Sequence, residues 1–112
     1  MSTIKATPAF MRDAKKLLSQ EALNDLTDSL VLAPKQGVII QGTGGVRKMR
    51  WQTGKDGKGK RGGVRVLYYF DGTQLILLLM LYKKSEKANI STSEKNILRK
   101  LLPELLERYK DE

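Results

Sequence analysis

Hydrophobic positions along the chain change their period twice, from helical to extended and back to helical. Phe10, Ala14, Leu17 and Leu18 fall on one face of a helix. Thr7-Pro8 in front of them is an N-cap followed by proline at the first helical position. Ser19 is placed to cap a second helix, with Glu21 in its first turn and Leu23, Leu26, Leu30 and Val31 at helical spacing. Ala33-Pro34 closes it, because the residue before proline is driven out of the α region. Beyond Pro34 the spacing shortens. Val38-Ile39-Ile40 is a brief extended piece. Gly42-Thr43-Gly44-Gly45 is a turn that needs positive φ, and Val46 to Gln52 alternates as a strand does. Thr53 to Gly63 is a glycine-rich loop. Val64 to Phe70 is a strand, Asp71-Gly72 signals a hairpin turn, and Leu75 to Tyr82 is a continuous apolar strand of the kind covered on both faces. After a polar loop from Lys83 to Asn89, Ser91 and Glu94 stand in capping-box spacing. Ile97, Leu98, Leu101 and Leu102 then give a buried helical stripe, continued by Leu105, Leu106 and Tyr109. Pro103 is expected to kink that helix or restart it. Ser2 to Lys5 is a candidate first strand. The prediction is an α+β fold: two N-terminal helices, a small and mainly antiparallel sheet (a three-strand meander plus the short N-terminal strand), and a C-terminal helix, with the helices on one face of the sheet.

Length and composition narrow this. The 112 residues fit one domain spanning 1–112. No cysteine and no histidine are present, so disulfides, thiolate chemistry and imidazole-based metal sites drop out. No metal site is expected, and any acid or base must be Lys, Tyr, Asp, Glu or Arg. The longest apolar run is eight residues, against the ~20 needed for a helix to cross a bilayer. The start of the chain lacks the apolar stretch of a secretory signal. No membrane association and a cytoplasmic location are therefore expected.

Charge adds the most. The net charge is +9. Between Arg47 and Arg65 lie Arg47, Lys48, Arg50, Lys55, Lys58, Lys60, Arg61 and Arg65, with Asp56 the one acid; eight minus one leaves +7 of that +9 in a single stretch. Crowding cations on one hairpin costs Coulomb energy, and a phosphate chain would return it while releasing counterions. A solvated surface that blocks strand-to-strand aggregation would share this composition. Neither glycine cluster is a nucleotide loop: Gly42 to Gly45 lacks the dinucleotide frame and its following helix, and Lys58 to Gly63 lacks the Gly-Lys-Ser/Thr ending. Trp51, Tyr68, Tyr69 and Tyr82 read as core or sheet-face residues. Tyr82, beside Lys83 and Lys84, would be the best stacking platform if exposed.

Three stretches carry a resemblance to a known family: Ile40 to Trp51, Gly57 to Tyr69, and Leu79 to Lys84 with Glu86-Lys87-Ala88-Asn89-Ile90-Ser91 behind it. Together they resemble the HigB branch of the RelE/ParE toxin superfamily of bacterial type II toxin–antitoxin systems. The resemblance implies a ribosome-dependent endoribonuclease that cuts mRNA and inhibits translation. It implies a cognate antitoxin, helix-turn-helix and HigA-like, and contact with operator DNA only through the toxin–antitoxin complex. It also implies catalysis by Lys and Arg with no cofactor, since RNA brings its own nucleophile, the 2′-OH. By motif position Arg65 is the phosphate ligand, with Arg61 a second. Lys58 and Lys60 are both candidates for the base, and Lys84 for charge stabilisation or the acid. Arg47, Lys48, Arg50, Lys55 and Lys83 are expected to hold RNA in place. Two other readings compete: a ParE-like inhibitor of DNA gyrase, and a basic RNA-binding module without activity. The apolar face of the second helix and the Val38–Ile40 edge are candidates for antitoxin contact, and equally for core packing.

Overall fold

In a computed structural model, which describes residues 2–55 and 63–110, the elements follow the order β1 (Thr3–Ala6), α1 (Pro8–Leu17), α2 (Gln20–Leu32), β2 (Val38–Ile39), β3 (Arg47–Trp51), β4 (Val64–Phe70), β5 (Leu75–Lys83) and α3 (Thr92–Lys110). The expected caps form. The Thr7 hydroxyl accepts from Phe10 N, and the Ser19 hydroxyl accepts from Ala22 N at 3.0 Å. Ser91 and Glu94 exchange backbone-to-side-chain bonds in a complete capping box (2.8 and 3.1 Å). The Gly42–Gly45 turn places Gly42, Gly44 and Gly45 at φ of 84°, 81° and 115°, a region that L side chains avoid.

The sheet has five strands in the order β1-β5-β4-β3-β2. One more strand forms than the sequence predicts, because Val38 and Ile39 pair with Lys48 and Arg47 as an edge. β1 runs parallel to β5 and the other pairs are antiparallel. The helices do not share one face, contrary to expectation. α1 and α2 cover one side, where Phe10, Ala14, Leu18, Leu26 and Leu30 pack on Val64, Val66, Tyr68, Ile76, Leu78 and Leu81. α3 covers the other, over Val46, Leu67, Leu77 and Leu79. The reason lies in β4 and β5: Leu75 to Leu81 of β5 are all apolar, and β4 places apolar residues on both faces, so each side of the sheet needs a cover.

Two further expectations change. The stripe on α3 is narrower than predicted, since Ile97 and Leu101 are exposed (53% and 42%) while Leu98, Leu102, Leu105, Leu106 and Tyr109 face the sheet. The helix also runs through Pro103 without restarting. Proline removes the donor to the Arg99 carbonyl, and both residues lie on the solvent-exposed side of the helix. At the other end of the sheet, Val31, Leu32, Val38 and Ile39 are exposed, so the α2 terminus and the β2 edge are surface and not core.

A β-bulge sets the geometry of the site. Leu67 pairs with Met80 but Tyr68 pairs with Leu78, which leaves Leu79 extra in β5. Its carbonyl accepts from the Thr7 hydroxyl at 2.8 Å. Before the bulge Ile76 and Leu78 point toward α1 and α2; after it Leu81 does, and Tyr82 joins the α3 side. In an unbroken strand Tyr82 would share the side of Ile76 and Leu78.

Candidate nucleic-acid interface

The rephased end of β5 brings three strands' worth of polar side chains to one place. In the ladder Arg50 of β3 lies opposite Arg65 of β4, and Arg65 lies opposite Tyr82 of β5. Residues directly opposite share a face with Cβ atoms ~4.5–5.5 Å apart. Tyr82 belongs to the α3-side core, so Arg50 and Arg65 lie on that side too. Lys48, opposite Leu67, joins them one step along β3. Like charges opposite each other oppose pairing, and an anion lying across both guanidinium groups reverses the sign.

Burial distinguishes the members. Arg65 is 8% exposed, Lys48 is half-buried and Arg50 is exposed. A guanidinium keeps its charge even when buried, and its planar fork suits a phosphate. Tyr82 is 8% exposed and therefore offers no stacking platform for a base. Its hydroxyl is buried with no hydrogen-bond partner among the described residues. Burial pushes the phenol pKa above its ordinary value; the positive charges of Arg65 and Lys87 oppose this and Glu94 reinforces it.

The β5–α3 loop closes over this group. Lys87 bonds Glu94 and lies 5.6 Å above the Tyr82 ring. Lys48 Nζ donates to Asn89 Oδ1 at 3.4 Å. The Lys87 bond, the Ser91 N–H and the Lys87 charge hold the Glu94 carboxyl below the usual range, against a smaller opposing effect of burial. Lys84 is exposed in the turn that follows β5, two residues beyond Tyr82.

Other expected RNA contacts lie elsewhere. Arg47 falls on the α2 side and donates from Nη1 to the carbonyls of Lys35 (3.1 Å) and Gly37 (2.8 Å), which fixes the α2–β2 connection. Lys55 donates to the Lys16 carbonyl at 2.6 Å at the end of α1. Lys83 is opposite Val64 and so is directed to the α1–α2 side. Strand alternation separates Arg47 and Lys83 from the Arg65 group by sending neighbouring residues to opposite faces, while Lys55 lies in the loop beyond β3. Lys58, Lys60 and Arg61 lie outside the described residues. Trp51 packs in the core, as expected, and donates to the Ala22 carbonyl at 2.9 Å. Lys87, Asn89 and the second use of Glu94 were not singled out as site residues. The capping-box spacing reveals Glu94 as a helix start but not the lysine seven residues earlier that folds back on it.

A mixed five-strand sheet between a helix pair and a long C-terminal helix is the RelE-like α+β fold. The Escherichia coli toxin RelE in its free state, solved as a double arginine-to-alanine mutant, superposes with a TM-score of 0.57, covering 88% of this chain and 96% of that one at 13% identity. At that identity the likeness bears on fold alone. The family follows from the sequence as a whole. The model for the RelE toxin of the RelE/RelB toxin–antitoxin system matches residues 3–112, and the chain belongs to the RelE family.

Proposed function

We propose that the chain is the toxin of a type II toxin–antitoxin system and, within the RelE family, of the HigB branch. It acts as one toxin domain in the cytoplasm, cutting mRNA on the ribosome and so stopping translation. The observation that carries this reading is the facing of Arg50 and Arg65 beside Tyr82, on a surface that also gathers Lys48 and Lys87.

RNA cleavage by its own 2′-OH needs a base for that proton, positive charge on the phosphorane oxygens and an acid for the departing 5′-oxygen. Arg65, buried and permanently charged, holds the scissile phosphate, with Arg61 as its second ligand. Lys58 or Lys60, by position in the motif, removes the 2′-proton. Lys84 stabilises charge or protonates the leaving oxygen. Lys48 and Arg50 hold the flanking strand. The departures of Arg47, Lys55 and Lys83 from this surface take them out of the proposed RNA contacts.

A cognate antitoxin, helix-turn-helix and HigA-like, neutralises the toxin and carries the pair to operator DNA. The exposed apolar residues Val31, Leu32, Val38 and Ile39 offer it contact.

Arg65→Ala is expected to keep the fold and to lower mRNA cleavage about 100- to 1,000-fold, the usual loss for one transition-state donor. The measurement is mapping of mRNA ends after induced expression, alongside circular dichroism of the purified variant. Wild-type cleavage by a folded Arg65→Ala protein would remove the assignment. Gyrase-linked DNA damage without mRNA cuts would favour the ParE-like reading. Salt-sensitive RNA binding without toxicity would favour a binding module.

A further inference from the structure

The Lys87–Glu94 pair is joined where it contributes little and placed where its cation could do more. Both side chains are about one-third exposed (33% and 34%), and pairs at such exposure add little to stability. The α3 cap does not depend on Lys87. Glu94 Oε1 already accepts from Ser91 N at 2.8 Å, and Ser91 Oγ accepts from Glu94 N at 3.1 Å. Lys87 uses the other carboxylate oxygen. Its ammonium meanwhile lies over the ring of Tyr82, the residue opposite Arg65, whose buried hydroxyl has no partner among the described residues. The same loop is tied to β3 by the long Asn89–Lys48 contact.

We propose that Lys87 is an RNA-phosphate ligand, parked on Glu94 in the free protein and transferred to a backbone phosphate when RNA occupies the Arg65 surface. This rests on the RNA-directed reading of that surface. The exchange replaces one anion beside the ammonium with another, so the Lys87 cation is never left unpaired, and Glu94 keeps its bond from Ser91 N. Glu94 keeps its cap throughout, so α3 need not move. Before RNA arrives, Glu94 holds the flexible side chain over Tyr82; afterwards the released carboxylate repels the nucleic acid.

The test uses the full chain and a short single-stranded 2′-O-methyl RNA, which cannot be cut. Affinity is measured over a salt series. For Lys87→Met the slope of log K against log salt should shrink by about 0.7, the value for one phosphate contact on a single strand. Lys15→Met, the same charge change on exposed α1, should leave the slope unchanged. Glu94→Gln keeps the capping acceptor and should tighten binding about two- to fivefold. That gain should vanish in the Lys87→Met background. Equal behaviour of Lys87→Met and Lys15→Met overturns the proposal, as does a Glu94→Gln gain of equal size in both backgrounds. If Arg65→Ala weakens binding in that same series, only the Lys87 assignment has failed. If wild type shows no salt-dependent binding, the RNA reading falls together with it.

Discussion

Asp71 shows how one side chain does the work of a turn. Its Oδ1 accepts from Thr73 N, Thr73 Oγ1, Gln74 N and Leu75 N at 2.8–3.1 Å. Burial raises its pKa, but these bonds together outweigh it and the net shift is downward. A depressed folded-state pKa means stability that is complete above the ordinary carboxylate range and is lost as pH falls through the lower folded value. Asp71→Asn, which keeps one acceptor oxygen, should flatten that acid limb in urea titrations at several pH values. Asp71→Ala should cost about 1–2 kcal/mol at neutral pH. Tyr82 predicts the opposite sign. Its buried hydroxyl makes no bond to the described residues, and an unpaired buried donor costs ~1–3 kcal/mol. Tyr82→Phe should therefore leave the urea midpoint unchanged or raise it. Asp71-Gly72 was legible as a turn because its chemistry is local. The state of the Tyr82 hydroxyl was not, because it depends on residues from three strands and a loop.

Among elements, the strands differ in how far their residues announced their place. β3 was readable: Val46, Lys48 and Arg50 alternate with Arg47, Met49 and Trp51, and the two sets do face opposite sides. What was hidden was that both faces are useful, so Arg47 was grouped with Lys48 although it braces the α2–β2 connection. β5 was readable as a strand but not in phase. With every residue from Leu75 to Leu81 apolar, no period marks the extra Leu79. The clue sits 72 residues away in Thr7, whose hydroxyl caps α1 and binds the bulged carbonyl. Thr7→Val should cost about 1–2 kcal/mol by chemical denaturation, and Thr7→Ser should restore most of it. α3 was over-read, since Ile97 and Leu101 continue the apolar spacing yet face solvent. A helix lying on a sheet buries one stripe, and spacing alone does not say where it ends.

The whole molecule carries +9, concentrated near one hairpin. Self-repulsion of that size opposes compaction, and salt screens it as the Debye length falls from ~30 Å at 0.01 M to ~8 Å at 0.15 M. The urea midpoint should accordingly rise over that range before any RNA is added; a midpoint that falls would show that paired charges outweigh repelling ones. At this scale the sequence conveyed the fold class. It did not convey that α3 takes the far side of the sheet, because amphipathic patterning gives each helix a buried stripe without saying which surface it meets. The parallel pairing of β1 with β5 has a consequence in time. Thr3–Ala6 leave the ribosome well before their neighbour Leu75–Leu78, so β1 waits for a partner that lies 72 residues further along the chain (Thr3 to Leu75). Lys87 and Glu94 emerge later still. A site proposed to attack translation thus comes together only after β5 and the loop behind it have been made, and synthesis of the segments before them precedes its assembly.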